Sequence, residues 1–359
     1  MYKVESGTKI KNVCVLWKFV VDKKTLRWYI SHIKKLPHLW ERKIKGEIIM
    51  KKLIAILLVL LMAVPFVACD KEEKYTVGIC QFIQHDALDA ATAGFKAALT
   101  DKLGDKVEFV EENASGDTAN CTTIVNSLVS QEVDLIMANA TPALQAAANA
   151  TRTIPILGTS VTEYGVALDI ENFSGTVGGN ISGTSDLAPL DQQAEMILEW
   201  FPEAKKVGLL YCSAEANSKY QVDSVAAYLH SKGIETEEFA FMDSNDMAQV
   251  AQKANDNSDV IYIPTDNAAA NGVETINSIC KTPIIAGEGN ICKGCGVATL
   301  SIDYYDLGYK TGEMAAQILT GEADISTMPI GYADPTKFYN AAKCEELGIA
   351  PLEGYEKLA

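Results

Sequence analysis

Two carboxylates stand where a chain of this kind can do chemistry. Asp266 follows the apolar run Val260-Ile261-Tyr262-Ile263 and the turn Pro264-Thr265; Glu288 follows Ile284-Ile285-Ala286-Gly287. A desolvated carboxylate at such a strand end accepts a strong, charge-assisted hydrogen bond from a cationic group. Hydroxyls and amides gather at matching points elsewhere: Gln81-Phe82, Thr141, Thr159-Ser160, Thr162, Asn217-Ser218, and Thr265 and Asn267 beside Asp266. Where such residues open a helix, free backbone N–H groups and the helix dipole add donors for an anion. Phe82, Tyr164, Tyr304 and Tyr305 offer rings on which a flat group can pack. The plainer role for any one Thr, Asp or Asn after a strand is to cap the next helix.

The elements that carry these residues come as a repeat. Asp134–Ser160 and Asp259–Gly289 each open on Asp-Leu-Ile or Asp-Val-Ile, break at a Pro beside polar residues, run through an Ala-rich stretch, and close on a second apolar run around Pro155 or Pro283. A βαβ unit has this length and this switch of period. Upstream, Val77-Gly78-Ile79 is echoed by Val207-Gly208-Leu209. The chain therefore holds two similar α/β lobes, and ligands of open α/β sheets bind beyond the carboxyl ends of the strands. Residues 75–184 form lobe one, joined by about 304–326; residues 185–303 form lobe two, joined by about 327–359. That exchange predicts about three crossings between lobes.

The chain has 359 residues and a net charge of −16, unevenly spread. Residues 1–49 hold 12 Lys/Arg against 4 Asp/Glu, and residues 69–359 hold 17 against 43. Such an acidic body argues against a nucleic-acid partner. Met50-Lys51-Lys52 followed by the apolar stretch 53–68 reads as a signal peptide, too short for a membrane span of about 20 residues. Residues 1–49 precede it and carry no clear periodicity. The codons for Lys45-Gly46-Glu47 can contain a ribosome-binding core, so these residues read as a translated leader before a start at Met50. Residues 69–74 are a tether.

An enzyme is the competing class. There is no GxSxG, HExxH or P-loop motif; His85 is the one histidine at a strand end, and a nucleophile needs a base within reach. Asp266 with Glu288 would make an acid–base pair, but the sequence predicts no catalytic residue and no cofactor. Nine cysteines are present. Cys292-Lys293-Gly294-Cys295 lacks the two further ligands of a zinc site, so no metal is expected; the pair is spaced for a local disulfide.

The segments ALDAATAGF, ATPALQAAANAT, GTSVT, SGTSDLAPL, AEANS, PTDN, GEG and SIDYYDLGYKTG follow one another in this order. From Tyr75 to the C-terminus the chain resembles the extracellular substrate-binding lipoproteins of bacterial ABC transporters, of the tryptophan/tyrosine-binding class. The resemblance implies a type I periplasmic-binding fold: two Rossmann-like lobes with parallel sheets, three crossings, and a small ligand in the cleft. It implies a zwitterionic ligand, most simply an aromatic amino acid. Gln81, Phe82, Thr141, Thr159, Ser160, Thr162, Asn217, Ser218, Thr265, Asp266, Asn267, Glu288 and Tyr304 would then bind it, with Asp266 and Glu288 taking the ammonium. Phe66-Val67-Ala68-Cys69 resembles a lipoprotein signal, which implies lipidation of Cys69, a membrane anchor outside the cytoplasm, and an ABC permease and ATPase as partners. A nucleoside or other small metabolite is the alternative ligand, and ligand sensing the alternative role. Asp86, Glu163-Tyr164 and Glu288 stand where the family usually has Pro, Asp-Pro and a more acidic turn.

Overall fold

The computed structural model describes residues 74–358. The leader, the signal segment and Cys69 lie outside the described residues. The first sheet begins with β1 (Tyr75–Gln81), β2 (Val107–Asn113), β3 (Leu135–Asn139), β4 (Ile156–Val161) and β5 (Ile181–Ser185), alternating with α1 (Asp86–Leu103), α2 (Thr118–Ser130), α3 (Thr141–Ala150) and α4 (Tyr164–Leu168). All its pairings are parallel, in the order β2-β1-β3-β4-β5. After α5 (Leu190–Trp200) the pattern repeats with β6 (Lys206–Cys212), α6 (Ala216–Ser231), β7 (Glu235–Phe241), α7 (Ser244–Asn257), β8 (Val260–Ile263), α8 (Asn267–Asn271), α9 (Val273–Ile279), β9 (Ile284–Ala286), α10 (Gly289–Cys295) and β10 (Ala298–Ser301). The second sheet runs β7-β6-β8-β9-β10, the same order displaced by five strands.

The chain then returns. Helix α11 (Tyr304–Leu319) packs on α1, and β11 (Gly331–Tyr332) joins β5 at the edge of the first sheet. Beyond it, β12 (Thr336–Tyr339), α12 (Ala341–Leu347) and β13 (Glu356–Lys357) complete the second sheet, with β12 antiparallel to β10. Three crossings result. The last lies after residue 332, later than the boundary at 327 expected from sequence, because Gly331 and Tyr332 pair with Thr184 and Ser185.

The inner strands of both sheets are buried on both faces, as a parallel sheet covered by helices requires, while the edge strands β2 and β7 are partly exposed. In β1, Val77 and Ile79 pack with Phe95 and Leu99 of α1, while Cys80 faces the opposite side with Leu128 of α2. The Asp that opens each repeat has a local task far from the strand ends. Asp134 accepts the Thr76 N–H at 2.7 Å, and Asp259 accepts those of Lys205 and Lys206 at 2.9 Å. Each aspartate thus pins the amino end of a first strand, β1 or β6, to the strand that its own residue precedes.

Cys292 and Cys295 are free thiols, as are the other described cysteines. Both lie buried in α10 and are not joined in the local disulfide expected from their spacing.

Helices α1 and α11 approach closely through glycine. A Cβ on Gly308 would lie 1.9 Å from the Ala91 carbonyl oxygen, and one on Gly94 would lie 2.0 Å from that of Tyr305. Backbone cannot yield as a flexible side chain does. Gly308→Ala is expected to part the helices at a cost of about 1–3 kcal/mol. A thermal melt should show a drop of a few degrees; an unchanged melting temperature contradicts this packing.

Candidate functional site

In each lobe the strand order reverses between the first and third strands, at β1/β3 and β6/β8. Crevices open at such points beyond the strands' carboxyl ends. The two crevices face each other. From the first lobe and the crossings come His85 and Leu88 at the start of α1, Ser160 and Thr162 at the end of β4, Asp186 after β5, and Tyr304 at the start of α11. From the second come Asn217 on α6, Thr265 and Asp266 after β8, Asn267 and Ala270 on α8, and Glu288 after β9. The free space they leave is about 10 Å³, on the order of a single water. The lobes are closed on each other: α4 touches α6, α1 touches α10, and the His85 ring lies 3.3 Å from Asn267 Oδ1 across the cleft.

Asp186, Glu215, Asp266 and Glu288 are all buried here, and no Lys or Arg lines the cavity. Three of them are fully engaged. Asp266 accepts the Cys212 N–H at 2.6 Å and the Ala269 N–H at 2.8 Å, Glu288 accepts those of Asn290 and Ile291 at 2.7 and 2.6 Å, and Glu215 accepts four N–H groups. Asp266 and Glu288, expected to take a cationic group, are thus the N-caps of α8 and α10. Each of these short helices begins at the crevice with unpaired N–H groups that a buried carboxylate satisfies.

Asp186 differs. Its Oδ2 accepts the Tyr304 hydroxyl at 2.9 Å, and its Oδ1 has no partner. Buried polar groups are normally hydrogen-bonded, so each exception calls for a cause. Among the described residues eight buried side-chain atoms lack a partner, and four of them meet at this cavity: Asp186 Oδ1, Asn217 Oδ1, Ser160 Oγ and His85 Nδ1. Asn267 Nδ2 donates to Glu215 at 2.7 Å, so Asn267 Oδ1 is an acceptor and His85 Nε2–H donates to it. Burial lowers the His85 pKa, so the ring is neutral and its Nδ1 is an acceptor. The unpaired set is therefore three acceptors and one hydroxyl, which is what a group rich in N–H donors needs. Ser160 reaches its position through a left-handed φ of 53°, where the β4–β5 register shifts between Gly158 and Val161. Such strain gathers at functional sites.

Of the residues expected from sequence, Ser160, Thr162, Asn217, Thr265, Asp266, Asn267, Glu288 and Tyr304 line the cavity. The other five do not. Gln81 bonds Thr92 and Asp89 beneath α1; Phe82 lies in the core of the first lobe; Thr141 opens α3; the Thr159 hydroxyl meets those of Thr184 and Thr311; and Ser218 backs Asn217 and Asp266. Asp186 was missed because Ser185-Asp186 before Leu190–Trp200 resembles an N-cap. The signal that finds it is position alone: it directly follows β5, as the other lining residues follow their strands.

Burial raises Asp186 and holds Glu288 up to about 7, from an ordinary value of 4.5 for glutamate. A carboxyl that keeps its proton to higher pH folded than unfolded stabilises the fold most below its unfolded pKa. That contribution is lost as pH rises through the folded value. The melting temperature is expected to fall between about pH 5 and 7. The acidic surface acts in the same direction, so the telling comparison is Glu288→Gln, whose slope should be shallower. An equal slope rules out Glu288 as a source.

The chain has recognisable relatives. Residues 76–359 match the family described as ABC transporter substrate binding protein. A curated relative, the tyrosine-binding protein of Clostridioides difficile (strain R20291), is 36% identical over 277 residues, covering 75% of this chain and 79% of that one. The crystal structure of an ABC domain in complex with L-Trp from Streptococcus pneumonia is 31% identical, with a TM-score of 0.76 over 80% of this chain and 100% of that one. A ligand-free, open structure of a substrate-binding protein with adhesive properties from Clostridium difficile is 34% identical, with a TM-score of 0.62 over 79% of this chain and 98% of that one. The fold described above is thus nearer to the L-Trp complex than to the open form. With a type I periplasmic-binding architecture and a family match spanning both lobes, this chain belongs to the substrate-binding proteins of ABC transporters.

Proposed function

We propose that the protein captures an aromatic L-amino acid, tyrosine or tryptophan, between its lobes and delivers it to an ABC permease and ATPase. The observation that carries this is Asp186 Oδ1, a buried carboxylate oxygen with no partner in a cleft without Lys or Arg. It takes the ligand's ammonium, with Asn217 Oδ1 and His85 Nδ1 as further acceptors. The unpartnered Ser160 hydroxyl serves the carboxylate, and the Thr162 hydroxyl stands beside Asp186. Leu88, Ala270 and the Tyr304 ring supply the apolar surface. The ligands named for the relatives above support the aromatic amino acid, and the closed cleft supports capture by lobe closure: a molecule of this size enters only when the lobes part. The site binds its ligand and does not transform it.

Asp186→Asn tests this reading. Removing one partner of a buried charge pair costs roughly 3–5 kcal/mol, so affinity for L-tyrosine and L-tryptophan should fall by about a hundredfold or more. The ligand-free fold should melt no earlier, because an uncompensated buried carboxylate is replaced by a neutral amide of the same shape. Calorimetric titration and a melt measure both. Normal binding by the variant removes Asp186 from the site.

The protein reaches its ligand outside the cytoplasm, tethered by lipid on Cys69 after cleavage of the signal at residues 50–68. Among the described residues no helix is long and apolar enough to cross a membrane. One acyl chain holds only weakly, so the multiply acylated form is expected. Cys69→Ala should shift the protein from the detergent phase to the aqueous phase; equal partitioning of variant and wild type contradicts the anchor.

A further inference from the structure

Glu215 is the N-cap residue of α6, yet its side chain accepts no hydrogen bond from that helix's own first backbone turn. It reaches instead to the start of α8, a helix Asp266 already caps. Its Oε1 accepts the Ala268 N–H at 2.9 Å. Its Oε2 accepts the Asn267 N–H at 3.1 Å, Asn267 Nδ2 at 2.7 Å and Asn217 Nδ2 at 3.3 Å. Every neighbour it bonds is a donor, and the carboxylate is buried. An amide in its place would set an NH₂ against at least one of those donors.

The two side chains it holds are those whose orientation decides what the cleft offers. Asn217 Nδ2 is drawn back onto Glu215, Ser218 Oγ and the Thr265 carbonyl, which leaves Asn217 Oδ1 unpartnered at the cavity. Asn267 Nδ2 is drawn back likewise, which turns Asn267 Oδ1 toward His85 Nε2 and leaves His85 Nδ1 unprotonated. One carboxylate thus fixes two amides and, through one of them, a histidine tautomer.

We infer that Glu215 is a positioning residue: by holding the Asn217 and Asn267 amides with their oxygens outward, it makes the cleft a set of acceptors and so selects a ligand bearing an ammonium over the same ligand without one. The inference rests on the amino-acid reading above. Glu215 touches no ligand itself; it does not line the cavity. With Glu215→Gln the amides are free to turn, and donors replace acceptors around the ammonium.

The test is a titration of wild type, Glu215→Gln and Asn217→Ala with two probes, L-tyrosine and 3-(4-hydroxyphenyl)propionate, which lacks only the amino group. Wild type should strongly prefer L-tyrosine. In Glu215→Gln the affinity for L-tyrosine should fall by about ten- to a hundredfold, with the affinity for the propionate unchanged or improved. Loss of affinity for both probes alike would show a merely structural role and overturn the inference, as would an unchanged preference. Should Glu215→Gln fail to fold, Asn217→Ala still decides: it should weaken L-tyrosine selectively, whereas equal loss of both probes means the amide donates to the carboxylate, and the inference falls. A wild type with no preference for L-tyrosine sinks the proposed function itself; a wild type that prefers it, with a Glu215→Gln variant that prefers it equally, sinks only the role of Glu215.

Discussion

The constraint on which this cleft depends is the burial of four carboxyl groups with no cationic side chain among the residues that line it. An isolated buried charge is unstable unless it is paired, hydrogen-bonded or neutralised. Helix starts satisfy most of the set. The β8–α8 and β9–α10 turns each bring a helix N-terminus to the crevice, and Asp266 and Glu288 fold back onto them. Glu215 spans from α6 to α8 and ties two parts of the second lobe into one rigid wall. Asp186 alone keeps an oxygen for something else. A site built this way is preorganised for a cation, because the other carboxylates are already committed.

The place of Asp186 in the chain gives that oxygen mechanical leverage. It lies on the first crossing, just after β5, and its other oxygen holds the hydroxyl of Tyr304, which opens α11 on the second crossing. Helix α11 in turn is locked to α1 by the close contacts at Gly94 and Gly308, and α1 begins beside His85. A ligand held at Asp186, as proposed, would therefore be felt where the chain passes between the lobes. His85 and Asn267 meet across the cleft on the far side of the same space. Residues of both lobes thus meet around one small space.

The architecture was legible in the sequence because its repeat is written in strand-length apolar runs, each ending in polar residues. The order of strands, the two lobes and the three crossings follow from that pattern and from the rule that parallel strands need a helical connection. The site was half legible. Periodicity locates strand ends, so Ser160, Asn217 and Asp266 could be placed at the cleft. It says nothing of which way a carboxylate turns once there. Asp266 and Glu288 look like ligand acceptors in sequence, yet in the fold their oxygens turn back to cap α8 and α10. Asp186 looks like a cap and leaves an oxygen free. Gln81 and Thr159 stand at strand ends too, but their side chains alternate onto the face beneath α1 and α11, where Thr92 and Thr311 hold them. A single residue's difference in strand register decides between the core and the cleft.

The central claim is that the ligand's ammonium sits on Asp186. The direct measurement is a crystal structure of residues 70–359 with L-tyrosine bound. The expected result places the ammonium nitrogen within about 3.2 Å of Asp186 Oδ1, with Asp266 and Glu288 still on their helix caps. An ammonium held by Asp266 or Glu288, with Asp186 Oδ1 left unpartnered, would contradict the account.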